Sequence, residues 1–398
     1  MSSMIQRAAF VGAAIGLGAL SACSTSSERA PVPESEISAA TSPIAVSTES
    51  PPIRIWGDES PAWLEQLLNA PPAMLKEWAP AMYGKPHSYL AISGGGQNGA
   101  YGAGLLNGWS AAGNRPEFTF VTGISTGSLI APFAFLGQEY DGVLTEIYTK
   151  YATKDLARKK AILSVVTSDS ALDTGPLKKL IARYVDAKVI SAIAAEYRKG
   201  RRLWIGTTNL DAGRPVLWNI GEIASSSDPR APGLIHDILL ASASIPGAFP
   251  PVEINVQVNG KSFDEMHVDG GVTQQVFFYP PAIDWKKVLK MLKVPGKPDV
   301  YVIRNAFVDP NYEPTKKKLI PISGRSISAL IRTQGIGDMY RIYSTAVRDG
   351  LSYHETNIPD DFNVKSDEMF DPVYMRKLYD LGYELGKSGK AWQSKPPG

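Results

Sequence analysis

The chain has 398 residues, of which 44% are hydrophobic and 20% are charged, a composition typical of a folded protein with one large core or two modest ones. Its 41 Lys and Arg residues against 39 Asp and Glu give a formal net charge of +2, without a long run of like charge, so we expect no nucleic-acid partner. A single cysteine excludes an intrachain disulfide and a zinc or iron–sulfur site built from several cysteines.

Residues 1–22 have the layout of a secretory signal peptide. Arg7 supplies a positive charge, and residues 8–20 form an uncharged stretch that is too short to cross a bilayer. The stretch ends in Leu20-Ser21-Ala22-Cys23, which resembles the lipobox of bacterial lipoproteins. That resemblance implies that Cys23 carries acyl chains such as palmitate and anchors the protein in the cell envelope, and Ser24 favours the outer membrane. An export signal that ends in a cysteine by chance is the alternative.

The rest of the chain divides into four segments. Residues 23–55 are rich in Ser, Thr and Pro and predict a lipidated flexible tether. Apolar residues at helical spacing predict a helical lead-in within residues 56–88. We expect the main domain over residues 89–284, and a strand and helices in residues 285–398 that complete the same domain.

Strands and helices alternate from residue 89 onward. This alternation predicts an α/β fold of three layers, in which a central, mostly parallel sheet is covered by helices on both faces. Asn259-Gly260 predicts a type I′ hairpin turn. Strands are predicted over residues 89–93, 118–122, 203–208, 215–218, 253–258 and 300–304. Helices are predicted over residues 101–112, 128–136, 326–348 and 372–387, with a mostly helical stretch over 148–199.

A glycine-rich turn, Gly94-Gly95-Gly96-Gln97-Asn98-Gly99, separates the first of these strands from the first helix. Successive glycines let backbone N–H groups converge, and the following helix N-terminus adds partial positive charge, so the turn predicts an anion site. The same residues satisfy the dinucleotide pattern G-x-G-x-x-G, which is the alternative. That alternative requires an acidic residue at the end of the next strand, where this sequence has Thr122-Gly123.

The next strand runs into Gly123-Ile124-Ser125-Thr126-Gly127, which matches the G-x-S-x-G nucleophile elbow. Because the carboxyl ends of neighbouring parallel strands meet at one edge of a sheet, we expect Ser125 to lie beside the glycine-rich turn. The sequence therefore predicts a serine nucleophile next to an oxyanion hole.

A serine hydroxyl requires a base that accepts its proton. The chain contains four histidines, at positions 87, 236, 267 and 354. It also contains His267-Val268-Asp269-Gly270-Gly271, in which Asp269 follows a short predicted strand. Taken alone, an aspartate in this position is more often a turn or cap residue.

Together, the three motifs resemble those of the patatin-like phospholipase family, whose pattern is G-G-G-x-[RK]-G, then G-x-S-x-G, then D-G-[GA]. The family also has a block similar to residues 241–251, and the resemblance covers about half of the chain. It implies that Ser125 is the nucleophile and Asp269 the proton acceptor. The oxyanion hole would be formed by the backbone of Gly95 and Gly96. The remaining motif glycines are Gly94, Gly99, Gly123, Gly127, Gly270 and Gly271.

This resemblance implies a membrane-anchored serine acyl hydrolase of the phospholipase A or lysophospholipase type, which works through an acyl-enzyme without a metal or cofactor. Its substrate would be a membrane lipid or another acyl ester. The sequence departs from the family pattern at Asn98, where a basic residue is usual. Two alternatives remain: a triad of Ser125, Asp269 and His354, and a lipid-binding or scaffold lipoprotein without catalysis. Phe249 and residues 277–279 either line an acyl-chain groove or pack in the core.

Overall fold

The computed structural model describes residues 29–44, 51–160, 170–310, 312 and 314–397. The predicted signal peptide and Cys23 therefore lie outside the described residues. Within the described ranges, no helix is both long enough and apolar enough to cross a bilayer.

Strands and helices alternate through most of the chain, and they are numbered here in chain order. The strands are β1 (Arg54–Trp56), β2 (Ser88–Ile92), β3 (Phe120–Ile124), β4 (Arg158–Lys159), β5 (Leu172–Asp173), β6 (Arg202–Asn209), β7 (Arg214–Asn219), β8 (Val252–Val258), β9 (Lys261–Asp269), β10 (Asp299–Arg304) and β11 (Ser352–Asn357). The helices are α1 (Ala62–Leu68), α2 (Pro72–Trp78), α3 (Gly99–Ala111), α4 (Thr126–Leu136), α5 (Asp141–Lys150), α6 (Thr153–Leu156), α7 (Gly175–Tyr184), α8 (Ala187–Arg198), α9 (Ile220–Ser225), α10 (Ala231–Ser242), α11 (Trp285–Met291), α12 (Leu319–Asp349) and α13 (Pro372–Ser388).

The main sheet has the strand order β1-β7-β6-β3-β2-β10-β11. Five neighbouring strands, β6, β3, β2, β10 and β11, run parallel. The strands β1, β7, β8 and β9 pair antiparallel at one side of the sheet. The predicted α/β class with a mostly parallel central sheet is therefore confirmed. The type I′ hairpin is also confirmed, since Val258 pairs with Lys261 and both turn residues have positive φ.

Apolar side chains cover both faces of the sheet, as buried parallel strands require. Along β2, Leu90 and Ile92 join one core cluster, which also receives α3, α4 and α13. Tyr89 and Ala91 point to the other face and pack with residues of α11 and α12. Two strands from the C-terminal part of the chain, β10 and β11, also belong to this central sheet.

The strand β9 has an unusual position that matters for the site. Along one edge of β6, residues 202–206 pair with β3, and residues 207–209 pair with β9. Strand β9 thus continues the sheet where β3 ends. Ile124 is opposite Gly206 and Asp269 is opposite Thr207, so the two strand ends meet at neighbouring positions of β6.

The sequence predicts a flexible tether over residues 23–55, and the structure differs in the described part of that segment. Pro31 and Thr41 form backbone bridges with Asp264 and Gln257 of the β8–β9 hairpin. The Arg29 guanidinium lies 2.7 Å from the carboxylates of Asp211 and Asp264. These contacts hold residues 29–44 on the domain. Composition alone does not indicate them, because their partners lie far along the chain.

Candidate active site

Ser125 lies in a sharp turn between β3 and α4. Its φ of 54° and ψ of −126° fall in a region that residues with side chains rarely adopt. The flanking glycines are required by close backbone contacts. A Cβ atom at Gly123 would lie 2.4 Å from the Gly127 carbonyl oxygen, and one at Gly127 would lie 2.3 Å from that of Ile92. The turn therefore has the backbone of a nucleophile elbow.

Hydrogen bonds hold the elbow in this strained conformation. The Ser125 N–H donates to Ser242 Oγ at 3.0 Å, and the Ser242 hydroxyl donates to the Gly206 carbonyl at 2.7 Å. The Ser128 hydroxyl donates to the Ser125 carbonyl at 2.6 Å. Ser242 belongs to the block 241–251, so one function of that block is to fix the nucleophile.

Asp269, the last residue of β9, has its carboxyl group within reach of the Ser125 hydroxyl, and this interaction favours the ionised carboxylate and lowers its pKa. Its Oδ1 also accepts the Gly271 N–H at 2.7 Å, and its own N–H donates to the Ser244 carbonyl at 2.9 Å. The carboxyl group is buried, and burial raises its pKa to about 7, although Ser125 and the Gly271 N–H oppose that rise. Near neutral pH the group can therefore both accept and return a proton.

The glycine-rich turn lies directly beside Ser125. A Cβ atom at Gly94 would lie 3.1 Å from the Ser125 Cβ, so the turn and the elbow form a single site. The Gly94 N–H is already bonded to the Gln275 carbonyl at 3.0 Å. In the part of the chain that the structure describes, the N–H groups of Gly95 and Gly96 donate to no other protein group. They remain available to a ligand anion, as an oxyanion hole requires.

The turn is held by Asn305, which belongs to none of the three sequence motifs. Its N–H donates to Ser93 Oγ at 2.8 Å, its Nδ2 donates to the Ser93 carbonyl at 3.0 Å, and its Oδ1 accepts the Gly102 N–H at 3.0 Å. Its carbonyl oxygen would lie 2.0 Å from a Cβ at Gly95. The signal available in the sequence is a polar residue directly after the predicted strand 300–304, because that strand is expected to end at the same edge of the sheet as Ser125.

Asn98, which stands where the family has a basic residue, is anchored by the C-terminal helix. Its Oδ1 accepts the Tyr374 hydroxyl hydrogen at 2.8 Å. The neighbouring Gln97 Oε1 accepts the Asp371 N–H at 3.1 Å and the Ser366 hydroxyl at 3.2 Å. Neutral hydrogen bonds to α13 and the loop before it therefore fix this side of the turn.

The structure places His354 away from the site, which corrects the alternative of a Ser125, Asp269 and His354 triad. His354 lies in β11, three strands away from β3. The pairing of β11 with β10, β10 with β2 and β2 with β3 places it in the same row of the sheet as Val121. This separates it from Ser125 by about 14 Å across the sheet and about 13 Å along it. All four histidines have other hydrogen-bond partners, which are Tyr89 and Met82 for His87, Val185 for His236, Thr207 and Glu265 for His267, and Asp299 for His354.

An apolar cavity opens at Ser125. Its empty volume is about 830 Å³, a figure that includes the open mouth. Gly96, Ser125 and Thr126 form its polar end. The apolar wall includes Leu129, Phe133, Leu177, Ile181, Ala243 and Phe249. Of the aromatic residues considered for an acyl-chain groove, Phe249 thus lines the cavity, whereas residues 277–279 pack in the core on the other face of the sheet.

Comparison with known proteins identifies the family. Residues 90–281 match the family model described as patatin-like phospholipase, so this part of the chain belongs to that family. Among solved structures, VipD from Legionella pneumophila matches at 13% identity with a TM-score of 0.35, and the match covers 77% of this chain and 68% of that of VipD. No curated protein matches the sequence.

Proposed function

We propose that this patatin-like protein is a serine acyl hydrolase that cleaves carboxylic ester bonds of lipids through a dyad of Ser125 and Asp269. The observation that carries the proposal is the interaction of the Ser125 hydroxyl with the buried Asp269 carboxyl group, at the polar end of an apolar cavity that Ser125 lines. A nucleophile in contact with its base, beside free backbone donors, is the arrangement that acyl transfer requires.

In the acylation step, the carbonyl oxygen of the ester accepts the N–H groups of Gly95 and Gly96. The Ser125 oxygen attacks the carbonyl carbon while Asp269 accepts the hydroxyl proton. The negative charge that develops on the carbonyl oxygen is stabilised by the two donors, and each donor contributes about 10²- to 10³-fold in rate. When the tetrahedral intermediate collapses, the bond to the alkoxy oxygen breaks and Asp269 returns the proton to the leaving alcohol.

In the second step, a water molecule attacks the acyl-enzyme and gives its proton to Asp269. The bond between the acyl carbon and Ser125 Oγ breaks, and the proton returns to the serine. Deacylation thus regenerates both residues and releases a carboxylic acid. Hydrolysis needs an ionised Asp269 at the start of each step, which the pKa of about 7 allows near neutral pH.

The cavity supports a lipid as the substrate class. Its apolar wall removes an acyl chain from water, and each buried methylene contributes about 0.8 kcal/mol. The cavity meets the reacting atoms at its polar end, so an acyl chain in it would place its ester at Ser125. We infer a phospholipase A or lysophospholipase type of reaction on this basis.

Attachment to the envelope through Cys23 is part of the proposal and has its own test. The lipobox-like sequence ending at Cys23 supports acylation and removal of residues 1–22. Mass spectrometry of the protein from its native membrane should show an N-terminal peptide that begins at an acylated Cys23. A peptide that retains residues 1–22 with a free thiol would contradict the anchor and leave the catalytic proposal intact.

The activity is tested by incubating bacterial lipid extracts with the wild type and the Ser125→Ala variant. We expect free fatty acid and the corresponding deacylated lipid only with the wild type. Ser352→Ala, a serine in β11 outside the site, is the matched control and should behave as the wild type. If the wild type releases no acid from phospholipids, lysophospholipids or glycerides, the protein is a binding or scaffold module instead.

A further inference from the structure

The first half of α12 presents apolar side chains to solvent. Ile322, Ile327, Leu330 and Ile331 are 47%, 49%, 70% and 37% exposed. At about 100° per residue, these four side chains occupy roughly one half of the helix circumference. We call them the apolar face of α12.

The opposite side of the same segment is basic and faces the protein. Arg325 and Arg332 are half-buried, and the Arg332 guanidinium donates to the Val308 carbonyl at 3.0 Å. Among the helix residues whose burial the structure describes, the buried apolar ones, such as Met339 and Ile342, all lie after Gly335. An ordinary surface helix places apolar residues inward and charges outward. Here the order is reversed, which indicates that the apolar face of α12 has a binding partner.

This face lies close to the reacting groups. One helical turn beyond it, Gln334 Nε2 lies 3.5 Å from the Val272 carbonyl oxygen, and Gln334 Oε1 lies 3.5 Å from Gln275 Nε2. The Val272 side chain is 46% exposed and follows the Asp269-Gly270-Gly271 turn. The carbonyl of Gln275 accepts the Gly94 N–H of the oxyanion turn. A partner bound to this face would therefore lie next to the site.

The charge around the face selects the kind of partner. Residues 314–337 contain five Lys or Arg residues and no Asp or Glu, and Lys316, Lys317 and Lys318 are exposed directly before the helix. A second copy of the chain would bring two such positive segments together, which costs free energy. Anionic headgroups complement them, and each lysine near an anionic bilayer contributes about 1 kcal/mol, or about fivefold in binding.

We propose that the apolar face of α12 docks on an anionic lipid surface. Its Ile and Leu side chains enter the boundary between headgroups and acyl chains, while Lys316, Lys317 and Lys318 contact the headgroups. This inference rests on the proposed function and deepens it, since the site is then held at the bilayer from which a lipid ester is taken.

A local fluorescent reporter tests the contact in the absence of the proposed N-terminal anchor. The chain has one cysteine, so a Cys23→Ser background accepts a single new label. A nitrobenzoxadiazole group is attached at Ile327→Cys or, as the matched control, at Met74→Cys on α2, where the native side chain is 51% exposed. Vesicles of phosphatidylcholine with phosphatidylglycerol should shift the Ile327→Cys emission to the blue and leave the Met74→Cys emission unchanged.

Substitutions in the full chain link docking to turnover. Leu330→Glu should lower hydrolysis of vesicle lipid about tenfold or more, because a buried leucine contributes more than the free energy of a tenfold change. Hydrolysis of a water-soluble short-chain ester should not change, and Met74→Glu should leave both activities unchanged. Changing Lys316, Lys317 and Lys318 to Gln should remove the preference for anionic over zwitterionic vesicles.

Three results would overturn the docking surface. The first is an equal shift at both labelled positions or no shift at position 327, and the second is unchanged vesicle hydrolysis by Leu330→Glu. The third is an emission shift of the label at position 327 that depends on protein concentration when no vesicles are present. Such a shift would identify the face as an interface between copies of the chain. Ser125-dependent hydrolysis of the soluble ester in the same samples shows whether the proposed function stands independently.

Discussion

Replacing Asp269 with Asn should stabilise the folded protein while it removes the activity. The carboxyl group lies in a buried site where the ionised form is disfavoured, and its partners are Ser125 and the Gly271 N–H. Asparagine has nearly the same shape and no charge. The substitution therefore removes the cost of an ionised group and keeps most of the packing.

The size and the sign of this effect follow from the pKa of Asp269. Folding raises the pKa of Asp269 from 3.8 to about 7. Below about pH 4 the carboxyl is protonated in both the folded and the unfolded chain, and its contribution to stability is fully present. That contribution is lost as the pH rises through 7, because the buried group must then ionise. Above that range the ionised form costs about 4 kcal/mol relative to the unfolded chain. Because asparagine receives weaker hydrogen bonds than a carboxylate, we expect a net gain of about 3 kcal/mol in the free energy of unfolding.

Urea unfolding of both proteins at about pH 8 and about pH 4 measures the effect. The variant should be more stable at the higher pH, and the difference should shrink at the lower one. A variant that is less stable than the wild type at about pH 8, or a difference that does not change with pH, would refute the placement of Asp269 as a buried, desolvated base. Ser352→Ala serves as a control for substitutions outside the site.

Three further predictions concern the kinetics of the wild type and of variants near the site. The kcat/KM for a soluble ester should rise with pH through about 7 and then level off, because only the ionised Asp269 accepts the serine proton, and a profile that falls over this range would contradict that role. Asn305→Ala should lower kcat by about 10²-fold with little change in KM, since it loosens the oxyanion turn without touching the cavity; a change in KM alone would argue against that function. Ala243→Phe fills the cavity beside Ser125 and should shift the substrate preference toward shorter acyl chains, as measured with esters of increasing chain length. An unchanged preference would show that the acyl chain does not bind in this cavity.

The turns of the site can be predicted from the sequence because their requirements are local. Gly123 and Gly127 are needed where neighbouring backbone would collide with a Cβ, and an apolar strand before them shows where the turn begins. Asp269 has no such local requirement, because an aspartate after a strand is common in ordinary turns. Its identification depends on the order of three motifs, and the structure brings its carboxyl group next to Ser125.

The groups that hold the turns could not be predicted, because each acts on a residue far along the chain. Asn305 bonds to Ser93 and Gly102, about 200 positions earlier, and Ser242 bonds to Ser125 across 117 positions. No short pattern marks such pairs. The contacts of Arg29 with Asp264 and Asp211 also join residues far apart in the chain. The sequence therefore could not show that part of the expected tether docks on the domain.

The strand β11 was missed for a different reason. Its sequence, Ser-Tyr-His-Glu-Thr-Asn, has no alternation of apolar and polar residues and includes an acidic residue. In the structure Glu355 is buried, and burial raises its pKa to about 7 although the nearby Arg304 opposes the rise. A polar sequence of this kind becomes a strand only because the sheet and helix around it cover its charged groups.

Labelling with a fluorophosphonate probe tests the dyad most directly, because the probe reacts with an activated serine and reports a covalent bond. We predict labelling of Ser125 in the wild type and in His354→Ala, no labelling in Ser125→Ala, and strongly reduced labelling in Asp269→Asn, with every variant folded by circular dichroism. A folded His354→Ala protein that does not react, or an Asp269→Asn protein that reacts as fast as the wild type, would contradict a catalytic dyad of Ser125 and Asp269.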